Sequence, residues 1–454
     1  MLFSRSTTST SRTASHRRTA QLGALAAASA LMLAACGSGD SSDPSSSADE
    51  ETGSAADPIE LTYWTWMTNV EDIVAVWNSE HPDIQVTIDR LAEGDDLVTR
   101  TVTAAKAGNL PDIVQAEYQS LPILVSNGIV AELDDLAPDA LSQYSEGVLN
   151  QVSWGDTTYA IPGDVGPLMM YVRTDLFDTY GVPVPTTWDE FAQAAAAIHA
   201  ADPSVSITSF DATYPGWFAG LSQQAGAEWW TAQDNEWSVN IDDQATEKVA
   251  DYWSGLLADG LVSTSPTYSA EWNTALADGT ILSWIAPTWG AGVIEGIAPD
   301  TAGSWQAVPL PQWNAGETYT GLWGGSSAAI ADTSTHKEAA AEFLTWLYTS
   351  DEGVQQLVDV ATLYPASIPG QEYSATSATP AVLGDQTDFW QLSAESASNA
   401  RAFRWSPNVA FTFATMQDAF STAIENGTSL TDTLAGVQTA SVDDLVNQGY
   451  PVAD

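Results

Sequence analysis

"IELTYWTWMTNVEDIVAVWNSEHPDIQVTIDRL" (59–91) carries two different hydrophobic periods. Its first residues alternate apolar and polar, the two-residue period of a strand. Val70, Ile73, Val74 and Trp77 then recur at three- and four-residue spacing, which predicts a helix, and Pro82 follows its end. "IQVTIDRL" (84–91) returns to the strand pattern. Next come a helix over "DDLVTRTVTAAKAG" (95–108), ending at Gly108, and a buried strand, "PDIVQA" (111–116). Strand–helix–strand order repeated in this way predicts an α/β domain with parallel strands. Ligands of such sheets bind beyond the carboxyl ends of the strands. Trp64 and Trp66 stand at one such end, Glu117 and Tyr118 at another.

Further along, Thr187 and Glu190 in "PTTWDEFAQAAAAIHA" have the spacing of a capping box ahead of a helix. "ATEKVADYWSGLLADG" is amphipathic and stops at Gly260. "HKEAAAEFLTWLYTSDEG" sets Ala339, Phe343, Trp346 and Leu347 on one face, and "MQDAFSTAIENG" reads as the last helix. The stretch around 370–385 reads as loop. Residues 58–454 exceed what one ordinary core holds and predict two domains.

The N-terminus has a basic start (Arg17, Arg18), an apolar run from Leu22 to Ala35 too short to span a bilayer, and a small-residue end, the pattern of a secretory signal. Arg17-Arg18 hints at twin-arginine export. Leu33-Ala34-Ala35-Cys36 resembles a bacterial lipobox, which implies removal of 1–35 and lipid attachment at Cys36, holding the protein on the outer face of the cell membrane. Residues 36–57, rich in Ser, Gly and Asp, then read as a flexible tether. Cys36 is the single cysteine of the chain, so the fold rests on its core without internal disulfides.

Lys and Arg number 12 against 59 Asp and Glu, a formal net charge of −47. That balance argues against nucleic acid as a partner and disfavours an anionic ligand. Gly-x-Ser-x-Gly, His-Glu-x-x-His and EF-hand patterns are absent from the sequence. Ser334-Thr-His-Lys337 matches a Ser-x-x-Lys motif without its companions and reads as part of a helix start. His81, His199 and His336 fall in helices or at helix boundaries. No catalytic residue, metal or cofactor is predicted. Glycoside hydrolysis needs only two carboxylates, and the sequence leaves it open as an alternative.

Tryptophan is abundant, at 19 residues. Trp77, Trp188, Trp253 and Trp346 fall on apolar helix faces or in a capping turn and read as core. Trp64, Trp66, Trp217 ("YPGWFAG"), Trp289 ("IAPTWGAG") and Trp323 ("TGLWGGSS") stand among glycines, prolines or strand ends. An indole offers a flat apolar face and one N–H donor, which suits a pyranose with an apolar face and a rim of hydroxyls. It also suits a quaternary ammonium in an aromatic cage, which makes a cationic osmolyte a second alternative ligand. Glu117, Asp164 and Arg404 are candidates for a sugar's in-plane hydroxyls.

"AGNLPDIVQAEYQSLPILVSNGIVAEL" and "YAIPGDVGPLMMYVRTDLFDTYGVPVPTTWDEFAQAA", followed in order by "DGTILSWIAPTW", "GLWGGSSAAI", "EFLTWLYTSDEGVQQLVDVATLYPAS" and "DAFSTAIENGTSLTDTLAGVQ", resemble the family-1 extracellular solute-binding proteins of ABC importers, a carbohydrate group that includes the maltose-binding proteins. The resemblance runs over essentially all of 58–454. It implies a two-lobed periplasmic-binding-protein fold of type II, with lobe I from 58–167 and 311–356 and lobe II from 168–310 and 357–454, closing by a hinge over a neutral sugar or oligosaccharide. It also implies a monomeric receptor that hands its sugar to the permease subunits. Carried onto this chain, the family's ligand positions fall on Trp64, Trp66, Glu117, Tyr118, Asp164, Trp289, Trp323, Gly324, Gly325, Arg404 and Trp405; Trp217 is added from composition. Where the family has Tyr-Asn-Lys before Asp-Leu-Phe, this chain has Tyr171, then Val172-Arg173-Thr174, and Arg173 reads as a surface residue.

Overall fold

Twelve strands form among the described residues: β1 Ile59–Thr65, β2 Ile84–Arg90, β3 Ile113–Glu117, β4 Ser153–Trp154, β5 Thr157–Thr158, β6 Ile161–Pro162, β7 Met169–Arg173, β8 Trp230–Gln233, β9 Glu236–Val239, β10 Ser283–Ala286, β11 Trp305–Pro309 and β12 Ser326–Ile330. The structure is a computed structural model that describes residues 53–67, 69–90, 94–233 and 236–453. The expected signal segment, Cys36 and the tether up to residue 52 lie outside them. Residues 53–57, read as the end of the tether, make a small turn in which Ser54 and Asp57 exchange two main-chain hydrogen bonds of 3.0 and 2.9 Å.

The first sheet has the order β2-β1-β3-β12-β6. β1 runs parallel to both β2 and β3, as the alternating strand–helix pattern predicts, and β12 joins antiparallel from far along the chain. The pleat sends neighbours in β1 to opposite faces. Leu61 and Tyr63 meet the helix Val70–Glu80, through Ile73 and Trp77, and the helix Lys337–Thr349, through Phe343 and Leu347. Trp64 points to the other face, toward Val98, Val114 and Ala116. Gly108 takes φ 68° just past the helix Gly94–Ala107, a left-handed stop that suits glycine.

The second sheet, β10-β7-β11, is antiparallel. Met170 and Val172 face one cluster with Trp188, Phe191, Trp217 and Trp253; Met169 and Tyr171 face another with Trp272, Trp284 and Trp305. The helix Trp188–Ala201 opens with the predicted capping box, Thr187 and Glu190 each accepting from the other's backbone. Arg173 departs from expectation: it is buried, and Asp175 accepts two bonds of 2.8 Å from its guanidinium. That pair keeps the Asp175 carboxyl below its usual range and makes the buried charge tolerable.

Three further differences are local. Part of 370–385 is helical, as Ile368–Ser374 and the short turn Ala381–Leu383. The helix containing "MQDAFSTAIENG" starts earlier, at Val409, stops at Gly427 (φ 64°), and is followed by another, Thr431–Gln448. Ser334-Thr-His-Lys337 reads as part of a helix start, but the helix begins at Lys337 and Ser334 lies ahead of it; its hydroxyl donates to Asp112 at 2.7 Å and accepts from the His336 amide.

Chain passes between the sheets at 163–168, 320–326 and 361–366. These segments lie side by side. Gly163 and Asp164 donate to the Ser326 carbonyl, Trp323 donates to Gly166, Leu168 donates to Gly321, and Val165 donates to Tyr364. Residues 311–322, expected in lobe I, bond instead with second-lobe partners: Gln312 with Thr186 and Trp188, Thr320 with Asn399 and Arg401, and Leu322 with Gln223.

Candidate functional site

β10 ends at Ala286 and turns through Trp289 into the helix Gly290–Ile297; β12 is entered through Trp323. These two half-buried indoles lie 5.1 Å apart, centroid to centroid, at 62°. Tyr214 joins Trp323 edge-on at 5.8 Å, and Tyr268 joins Tyr214 at 5.8 Å. Behind this arc stands the buried Trp284, in contact with Trp289, Trp323 and Tyr268, and behind it Trp272. Edge-to-face contacts of this kind hold rings in place. Tyr268 takes φ 66°, a costly conformation for a bulky residue, on the order of 1–3 kcal/mol, which persists where neighbours over-determine it.

Gly324 and Gly325 take φ 71° and 92° and turn the chain from Trp323 into β12. A Cβ on Gly325 would stand 2.9 Å from the Tyr118 ring, so glycine is required there on both counts. Trp64 is half-buried against the β3 side of the first sheet. Trp66, also half-buried, lies just beyond β1; its amide donates to Gln115 at 3.1 Å and its carbonyl accepts from Arg90 at 3.1 Å. Glu117 ends β3 and accepts from Gln119 at 2.8 Å.

Of the other predicted site residues, Tyr118, Asp164 and Trp217 are buried in the frame. Tyr118 is buried, and its hydroxyl donates to the Asp164 carbonyl at 2.8 Å; burial pushes that hydroxyl well above its usual range, so it stays a neutral donor. Asp164 is buried too, its Oδ1 accepting from the Ser326 amide at 3.0 Å and hydroxyl at 2.6 Å. Trp217 lies in the second-lobe core against Phe210 and Trp253, with its indole N–H given to the Ile285 carbonyl at 3.0 Å. Arg404 is exposed. Trp405 packs on Trp230, Phe403 and Phe413 and also reaches the first-sheet cluster of Tyr118 and Leu121, so it touches both lobes.

The structure thus gathers Trp289, Trp323, Gly324 and Gly325 and sets Tyr214 and Tyr268 beside them, two tyrosines that no sequence motif singled out. Their local stretches carry no period that marks them; "YPGW" starts a helix at Pro215, and the placement of Tyr268 depends on contacts with distant rings. A groove of about 570 Å³ over Trp77, His81 and Trp346 lies wholly on the first lobe, away from the crossing segments.

Desolvation raises the Asp164 carboxyl from 3.8 to about 6, partly offset by its bonds from Ser326. A raised carboxyl pKa means the folded protein binds more protons than the unfolded chain between those values. Its contribution to stability is therefore lost as pH rises from about 4 to about 6. Asp164→Asn removes this titration. The stability of wild type minus that of the variant is expected to fall by on the order of 3 kcal/mol between pH 4 and pH 7. Denaturant melts at each pH measure it; a constant difference contradicts the assignment.

Residues 64–354 match the family profile of the bacterial extracellular solute-binding proteins. The chain belongs to that family. This solute-binding protein is 26% identical over 328 residues, 68% of its own length and 72% of the relative's, to an arabinooligosaccharide-binding protein of Halalkalibacterium halodurans. Its structure is similar to the galacto-N-biose-/lacto-N-biose I-binding protein of an ABC transporter from Bifidobacterium longum in complex with lacto-N-biose. There the TM-score is 0.78 at 29% identity, covering 87% of this chain and 99% of that one. For the fold alone, an ABC transporter associated binding protein from B. animalis subsp. lactis in complex with β-1,6-galactobiose gives TM-score 0.81 at 24% identity, covering 88% and 100%. The two-lobed, maltose-binding-protein-like fold expected from the sequence is therefore the fold of this chain.

Proposed function

We propose that this solute-binding protein is the membrane-tethered receptor of an ABC importer for a neutral sugar or oligosaccharide, and that it acts by binding without catalysis. The observation that carries the reading is the arc of Trp289, Trp323, Tyr214 and Tyr268 beside the crossing segments. These rings present apolar faces to a sugar's C–H face, while indole and phenol groups supply hydrogen-bonding at its rim. Among the described residues, the cation–π pairs fall on other rings, Trp305, Trp313 and Tyr319, in keeping with an uncharged ligand. The ligands in the names of the relatives, arabino-oligosaccharides and lacto-N-biose, support the same class.

Closure follows from the three adjacent crossing segments, which let one lobe turn on the other about few backbone positions. On this reading the rings of the second lobe take the sugar first, and Trp66, Trp64 and Glu117 of the first lobe cover it. The lobes exchange at 163–168, 320–326 and 361–366. Lipid at Cys36 would hold the receptor on the outer membrane face, with the residues that follow it as tether, and the closed form would be the one that the permease recognises.

A thermal-shift screen of the purified protein tests this. The panel holds arabino-oligosaccharides, lactose, lacto-N-biose, maltose, sugar phosphates, polyols and betaine. A ligand at 100 times its Kd adds about 2.7 kcal/mol to the native state, a visible rise in midpoint. A neutral sugar is the expected hit. Stabilisation by betaine alone would move the ligand to the cations, and release of product from a chromogenic glycoside would make the protein a hydrolase.

A further inference from the structure

Buried polar groups are costly unless paired, and where several pair in sequence their positions become coupled. One such sequence runs through the first lobe to the crossing segments. The Thr65 hydroxyl donates to Gln115 Oε1 at 2.5 Å, and the Trp66 amide donates to the same oxygen at 3.1 Å. The other end of that amide, Gln115 Nε2, donates to Ser326 Oγ at 2.9 Å. Ser326 in turn donates its hydroxyl and its amide to Asp164 Oδ1, at 2.6 and 3.0 Å. All donors point one way, from the exit of β1 to Asp164. Thr65, Gln115, Ser326 and Asp164 are all buried.

Asp164 is also where the crossing segments meet. It lies in 163–168, bridges to Pro365 of 361–366, and holds Ser326 at the end of 320–326. A change of lobe angle has to move these segments past one another. We propose that Gln115, Ser326 and Asp164 are positioning residues that couple the conformation of Trp66, at the cleft wall, to the angle of the hinge. This coupling rests on the proposed function in one respect, that Trp66 faces the ligand. It adds a route by which contact at Trp66 is felt at the crossing segments, and by which their rotation moves Trp66.

Among the described residues, the hydroxyl groups packed around Asp164 stay neutral. They are Ser326 from β12, Tyr118 from the turn after β3, Tyr63 from β1 and Tyr348 from the helix Lys337–Thr349, with Tyr144 beyond them. Burial raises all four tyrosines, Tyr63 to about 12, so they remain neutral. A carboxylate accepts more strongly than a carboxylic acid. Protonation of Asp164 therefore loosens the sequence of bonds and with it the Trp66 amide, even though it relieves the cost of a buried charge and stabilises the whole fold. The local and global effects of pH thus have opposite signs.

Hydrogen exchange in the sugar-free protein, corrected for intrinsic rates, reads this at single amides. Ser326→Ala and Asp164→Asn are each expected to speed exchange at the Trp66 amide at least tenfold, although neither residue touches it. The Phe191 amide, in the second-lobe core, serves as reference and should not change. In the wild type, protection of the Trp66 amide is expected to fall as pH drops through about 6, and in Asp164→Asn to be flat. Unchanged Trp66 exchange in both variants overturns the coupling. If the Phe191 amide also accelerates, the variants have lost the fold, and the wild-type pH profile decides: no loss of Trp66 protection on acidification overturns the proposal. The readout needs no ligand, so a sugar panel without hits would remove the receptor reading while leaving this result to stand or fall separately.

Discussion

Trp323→Ala is expected to weaken sugar binding by about 3 kcal/mol, on the order of 100-fold in Kd. Trp323 is the joint of the aromatic arc, touching Tyr214, Trp284 and Trp289. Its amide is also bonded to Gly166 in a neighbouring crossing segment, at 2.9 Å. Truncation removes a stacking face and leaves Tyr214 and Trp289 without the edge that orients them. Calorimetric titration with the best sugar from the thermal-shift panel measures the loss. Because Trp323 also packs on both second-lobe clusters, the melting midpoint of the variant is recorded beside it. A Kd within threefold of wild type, in a variant that still melts cooperatively, would falsify the placement of the sugar on this arc. Trp217→Phe is the control: its ring lies in the core with its N–H bonded internally, so affinity should hold while stability falls.

Gly321→Ala is expected to destabilise the protein by about 3 kcal/mol. A Cβ at 321 would sit 1.8 Å from the Gly220 carbonyl oxygen and 2.6 Å from its carbon. Both are backbone atoms of the helix Pro215–Ala225, so no side chain can swing aside. Either that helix or the crossing segment must move, and each carries one ring of the arc, Tyr214 at the helix start and Trp323 two residues past Gly321. At about 2 °C per kcal/mol for a chain of this size, the midpoint should drop by roughly 6 °C. Ala at Gly296, where a Cβ meets nothing within 4 Å, should change it little. Equal midpoints for the two variants would show that helix and crossing segment are not in the close contact described.

Much of this protein is legible in its local chemistry. The switch from two-residue to helical period between 59 and 91 specifies a strand, a helix and a second strand, since each element buries one face. The capping box at Thr187 and Glu190, the stop at Gly108 and the indoles set among glycines at Trp289 and Trp323 are signals within a few residues of one another. Signals of that range survive because backbone geometry and side-chain spacing act locally.

What the sequence by itself determined is therefore the elements, their parallel start and a set of indoles at loops and strand ends. The tertiary structure alone decided which of those side chains are gathered together and which are buried. Trp217 stands among Gly and Pro just as Trp289 and Trp323 do, yet its indole reaches Ile285 across 68 positions and is core. Arg173 looks like a surface residue until β10 and β11 close over both sides of β7. Asp164, read as a sugar contact, is bound by Ser326, 162 positions away. Tyr214 and Tyr268 join the aromatic arc only because distant rings, Trp323, Trp272 and Trp284, hold them there. The reason is physical: burial and hydrogen-bond partners belong to pairs of segments far apart in the chain, and no local period records which distant segment arrives.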